Sequence, residues 1–207
     1  MRGVCIAFVA SIAGACASAP SAEHEPMRWA VVVLGDTTDM RFVAVREAAE
    51  FWNAEFGTLG IPIVLGPPVS SPQRLPETLL RDFSRAVVAG ERVPGPPELD
   101  RIPGDIVVGL SSTATLTSVG VNPGRYGGKP FVVLRPGHLP PLSIPNVARN
   151  IAAHELGHVL GLSHNAEPGT LMCVPPAPCR TQLLRSDTVR FFPLTDAERR
   201  YLSRRWR

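Results

Sequence analysis

The stretch His154-Glu155-Leu156-Gly157-His158-Val159-Leu160-Gly161-Leu162-Ser163-His164 decides how this chain is read. On a helix that rises about 1.5 Å and turns about 100° per residue, His154 and His158 share one face, roughly 6 Å apart along the axis. Two imidazoles so placed can grip one metal ion. Glu155 falls on the flank of that face, where a carboxylate can reach water on the metal without becoming a ligand. A continued helix would carry His164 about 240° around from His158 and away from the metal. Gly161 lets the chain stop winding, because glycine takes positive φ without steric cost and commonly ends helices. His164 can then swing back to the same ion. Three protein ligands leave a fourth place open, the arrangement of a catalytic rather than a structural zinc site.

This pattern resembles the metzincin signature, HExxHxxGxxH followed by a methionine-containing turn. The turn is present as Glu167-Pro168-Gly169-Thr170-Leu171-Met172. Taken alone, a methionine after a Pro-Gly turn reads as ordinary core; by resemblance, Met172 forms an apolar floor beneath the imidazoles. Within the superfamily the chain is similar to the bacterial, exported members of the matrixin group, through Ser163, the run His164-Asn165-Ala166-Glu167-Pro168-Gly169-Thr170-Leu171-Met172, and the upstream Asp105-Ile106-Val107-Val108. The resemblance covers residues 28–173, and the zinc motif and the turn are its specific parts. It implies a zinc-dependent endopeptidase with one Zn²⁺ on His154, His158 and His164, Glu155 as general base and acid, and Gly161 and Met172 as structural support.

Three departures from that pattern shape the expectations. Asn165 stands where matrixins usually carry serine. Val174 occupies the place at which astacin-like and serralysin-like enzymes have a tyrosine, so no tyrosine assistance is expected. Residues 111–130 contain no histidine, aspartate or glutamate, and hard cations need several oxygen ligands, so the second zinc and the calcium loops of matrixins are not expected. His24 and His138 read as ordinary surface histidines. Two readings from other classes stay open: a non-catalytic zinc-containing envelope binding protein, against which the intact Glu155 speaks, and a zinc hydrolase of a non-peptide bond.

The chain has 207 residues, 44% of them hydrophobic, and a formal net charge of +3. That length supports one domain with a proper core or two small subdomains around a cleft, and the small charge is no nucleic-acid footprint. Residues 1–15 carry Arg2, an apolar stretch from Val4 to Ala13 and then small residues, which fits an export signal and places the mature chain outside the cytoplasm: secreted, periplasmic or lipid-anchored. Ala13-Gly14-Ala15 before Cys16 resembles a lipoprotein box, while Ala15 and Ala17 each end an Ala-x-Ala triplet for ordinary cleavage, so lipidation at Cys16 and free secretion both stand. Cys173 and Cys179 bracket a proline-rich loop, and in an oxidising compartment they read as a disulfide. Related enzymes use this segment as a wall of the substrate pocket. Arg199, Arg200, Arg204, Arg205 and Arg207 read as a solvated helix face, with an anionic envelope surface as the sharper alternative. A monomer is expected.

Upstream, Arg28–Leu34 reads as one buried strand and Asp39–Phe56 as a helix ending at Gly57, with Trp52 in its core. Ile61–Leu65 reads as a second strand, begun by Pro62. Pro76–Ala89 has an apolar helical stripe of Leu79, Leu80, Phe83 and Val87, and lies within residues 67–103, read as an insertion. Asp105–Ser111, Ala114–Gly120 and Pro130–Arg135 read as the third, fourth and fifth strands, with turns at Asn122-Pro123-Gly124 and Gly127-Gly128. Pro145 suits the first turn of the active helix, and Thr195-Asp196-Ala197-Glu198 forms a capping box for a last helix.

The fold class that results is α/β (α+β), a twisted five-stranded mixed sheet with two long helices. Its divisions are a signal at 1–15, a linker at 16–27, a catalytic subdomain at 28–164, and a C-terminal subdomain at 165–207 with the methionine turn and terminal helix. By resemblance the fourth strand is an antiparallel edge above the cleft, where a polypeptide substrate pairs in extended conformation. Cys5 and Cys16, the cysteines upstream of the motif, both lie at the signal, and Ala17–Met27 is too short for a pro-domain, so the enzyme is expected to emerge active, with Glu23, His24 or Glu25 covering the metal as the alternative.

Overall fold

The computed structural model describes residues 25–91, 94–113, 118–121, 128–174, 179 and 189–207. The expected signal, Cys16, His24, the first part of the fourth strand at 114–117 and the turn residues 122–127 lie outside the described residues. Among the described residues the elements are β1 (Met27–Trp29), β2 (Val31–Leu34), α1 (Met40–Leu59), β3 (Ile63–Leu65), β4 (Val69–Ser71), α2 (Glu77–Val88), β5 (Ile106–Leu110), β6 (Val119–Val121), β7 (Phe131–Leu134), α3 (Pro145–Val159) and α4 (Asp196–Arg205), with a 3-10 turn at Pro97–Arg101.

Five strands form one sheet in the order β4-β2-β5-β7-β6. All neighbours are parallel except β6, which runs antiparallel to β7 at one edge. The α/β class, the mixed five-stranded sheet and its antiparallel edge are therefore as expected, but the membership differs. The run Arg28–Leu34 is not one strand: it breaks at Ala30, whose N–H donates to Asp105 Oδ2 at 2.7 Å and whose carbonyl accepts from the N–H groups of Asp105 and Ile106. Ahead of this break β1 pairs with β3 in a separate two-stranded ladder, so Ile63–Leu65 is not part of the main sheet. Its place is taken by β4, a three-residue edge too short and too polar to stand out in the sequence.

The sheet is covered on both faces, which explains the continuous apolar runs of its central strands. Side chains alternate between faces with period two. Val31, Val33, Ile106, Val108, Val132 and Leu134 join α1 and α3 in one core. Val32, Leu34, Val107, Phe131 and Val133 turn the other way, onto Leu80 and Phe83 of α2 and Leu99 of the 3-10 turn. The segment read as an insertion thus supplies the layer over the second face.

Asp39 caps α1 by accepting from the Arg41 N–H at 2.9 Å. The helix runs past Gly57 and closes at Gly60, which takes φ of +63°. Gly57 has helical neighbours and open space around it, so nothing forces an end there. Trp52 is fully buried as expected, and its indole N–H donates to Ala153 O at 3.0 Å, fastening α1 to α3. The capping box of Thr195 and Glu198 is formed at the start of α4. Beyond its end, Trp206 donates to Leu160 O and meets Trp29 edge-on at 5.3 Å. No described helix is long and apolar enough to cross a membrane.

Candidate active site

Pro145 opens α3 in the first turn, where its missing N–H costs nothing. The helix ends at Val159, two residues before Gly161, with Leu160 as its cap. Gly161 then adopts φ of +100°. The chain folds back through two bonds, from the Gly161 N–H to His158 O at 3.0 Å and from the Leu162 N–H to Gly157 O at 2.9 Å. That reversal brings His164 against the helical pair. His164 Nε2 lies 2.9 Å from His158 Nε2 and 3.2 Å from His154 Nε2.

The other nitrogen of each helical imidazole is held by backbone. His154 Nδ1 lies 2.8 Å from Leu171 O and His158 Nδ1 lies 2.9 Å from Leu162 O. A carbonyl oxygen can only accept, so each Nδ1 carries the proton and each neutral ring presents an Nε2 lone pair to the centre. Burial lowers the His164 pKa below the ordinary histidine value, although the residue as a whole is exposed, and so favours its neutral form too. The three rings form a tripod: those of His154 and His164 are 29° apart, and that of His158 stands at 89° and 75° to them. Lone pairs brought this close repel one another unless a cation sits between them. The donor set and its backbone support fit one zinc ion.

Glu155 is buried and lines the same cleft as the triad. The cleft holds about 700 Å³, within the range of small-ligand sites. Ser118, Val119 and Gly120 form one side, Ile151 and Glu155 the α3 side, and Leu171, Cys173, Cys179 and Phe192 a further wall. Cys173 and Cys179 are joined, with S–S of 2.06 Å and Cα–Cα of 5.4 Å. Met172 is fully buried, and its sulfur packs against Gly157, between the two helical histidines in sequence. His138 is exposed, as expected.

Several residues that sequence reasoning passed over shape this site. Gly120 brings β6 onto α3 so closely that a Cβ there would sit 2.1 Å from Glu155 O. Asn165, noted only as a departure, ties the methionine turn together. Its Oδ1 accepts from the Glu167 N–H and the Thr170 hydroxyl, and its Nδ2 donates to Glu198 Oε1 at 2.7 Å. Asn150 on α3 accepts from the Phe192 N–H and donates to Arg190 O, which sets Phe192 in the wall. A glycine inside a helical or strand pattern is a sequence signal of close backbone approach, and it was there to be used at Gly157 and Gly120. The two asparagines carry no such signal.

Residues 143–188, spanning α3, the triad and the methionine turn, match the family model for matrixin. No curated protein sequence matches the chain. Among solved structures, the archaemetzincin of Methanopyrus kandleri is similar, with a TM-score of 0.50 and 20% identity over 88% of this chain and 96% of that one. At that identity the likeness shows the fold, which is metzincin-like, and the local match falls on the segment that carries the metal donors.

Proposed function

We propose that this chain is a zinc-dependent endopeptidase. The convergence of three Nε2 atoms, two of them fixed by Leu171 O and Leu162 O, on a cleft that also holds the buried Glu155 is the observation that carries this reading. His154, His158 and His164 would hold the zinc ion, which in such a site lowers the pKa of water toward about 7 and polarises a carbonyl.

The chain's own residues supply the rest. Glu155 accepts the proton of the attacking water and delivers it to the leaving amine. On the other side of the cleft β6 pairs only with β7 among the described residues, so its outer edge offers backbone groups to an extended peptide. The Cys173–Cys179 bridge fixes the wall that faces that peptide, and a formed disulfide accords with work in an oxidising, extracytoplasmic compartment. A binding protein using the metal as a staple would have no need of a buried carboxylate in the cleft.

Glu155→Gln tests the reading. It keeps the shape and the three imidazoles, so zinc should remain while cleavage of an unfolded protein falls about 10²–10⁴-fold. Retention of most activity would refute Glu155 as the base. Digestion of an unfolded protein mixture with and without a chelator separates a peptidase from a binder or a hydrolase of other bonds.

A further inference from the structure

The cleft is also lined by an arginine to which the proposed hydrolysis assigns no role. Arg135 follows β7 directly and lines the same cavity as the triad. Its Nη2 donates to Pro140 O at 3.1 Å, while its Nε is buried with no hydrogen-bond partner. Among the described residues no carboxylate pairs with it, whereas Arg41, Arg149 and Arg199 each meet an aspartate or glutamate. A guanidinium partly withdrawn from water and served by one carbonyl is short of compensation. The group that compensates it best is a carboxylate, which matches its fork of donors.

Its place on the sheet says where that carboxylate would come from. Val133 pairs with Val119, and the Arg135 N–H donates to Ser118 Oγ at 3.3 Å, so Arg135 stands beyond the N-terminal end of β6. A peptide laid antiparallel along β6, the more favourable pairing, runs its C-terminal part toward Ser118 and Arg135. We infer that Arg135 selects substrates carrying a carboxylate on the C-terminal side of the cut bond, from an aspartate or glutamate side chain or from the end of the chain. This rests on the peptidase reading above.

Hexapeptide sets test it, with glutamate, alanine or lysine placed at each position after the cut and with free or amidated C termini. The full zinc-loaded chain is assayed for kcat/KM, and the Glu155→Gln variant for Kd with the same peptides. The wild type should favour one glutamate position, or the free over the amidated terminus, by about 10–100-fold, and whichever preference is seen identifies the source of the carboxylate. Arg135→Gln should collapse that ratio to near one, and Arg135→Glu should turn it toward lysine. A wild-type ratio near one, or a ratio that Arg135→Gln leaves unchanged, overturns the assignment. Cleavage without such a ratio sinks the role of Arg135 alone. Binding that depends on Arg135, with no cleavage of any peptide, sinks the peptidase reading and keeps the carboxylate site.

Discussion

Met172 fills the space that Gly157 leaves: a Cβ on Gly157 would lie 2.7 Å from the Met172 sulfur and 3.2 Å from Trp52 Cζ2. The pair fixes the methionine turn against the helix that carries His154 and His158. Gly157→Ala should gain up to about 1 kcal/mol in helix propensity and lose about 1–3 kcal/mol to overpacking. The expected result is a lower Tm and weaker zinc retention, read by calorimetry and chelator competition. A raised Tm with unchanged zinc affinity would show that Met172 gives way freely.

Gly120 and Gly57 should respond in opposite directions to the same substitution. Gly120→Ala places a methyl 2.1 Å from Glu155 O, so β6 must move off α3. Both stability and kcat/KM should fall. Gly57 lies within α1 with nothing near its would-be Cβ, and Gly57→Ala should stabilise by about 0.5–1 kcal/mol. Paired denaturant titrations check both signs.

The Cys173–Cys179 bridge closes a short loop, with a sequence separation of 6. In the chain-entropy view a loop of that size contributes about 2 kcal/mol. Replacing both cysteines by serine should lower stability by that order. Because both line the cleft, KM should rise more than kcat falls. An unchanged KM would separate the bridge from substrate binding.

Glu77 links the start of α2 to the end of β5. Its carboxylate accepts from the Ser111 and Thr113 hydroxyls and from the N–H and hydroxyl of Ser112. Burial alone would raise its pKa, but these bonds outweigh burial and bring it to about 2, against an ordinary 4.5. A pKa depressed in the folded state contributes stability above the unfolded value, and that contribution is lost as pH falls from 4.5 toward 2. The stability gap between wild type and Glu77→Gln should therefore be widest near neutrality and narrow across that window. A gap independent of pH would contradict this.

How far the sequence could be read depended on the kind of interaction involved. The zinc motif was legible because helical spacing and one glycine determine where His154, His158 and His164 converge. Trp52, the capping box at Thr195 and the antiparallel edge were legible through periodicity, local capping chemistry and resemblance. The break at Ala30 was not, because it is made by Asp105, distant in sequence. The true end of α1 at Gly60 rather than Gly57 was missed because a glycine tolerated inside a helix looks the same as one that ends it. Asn165 and Asn150 act through bonds to backbone and side chains far along the chain, and no local pattern announces them.

Metal content of the purified chain and of the His154→Ala, His158→Ala and His164→Ala variants tests the central claim most directly. The expected result is one zinc ion per wild-type chain, with metal and hydrolysis lost together in each variant. A wild-type chain that binds no transition metal, or a His158→Ala variant that keeps stoichiometric zinc, would contradict it.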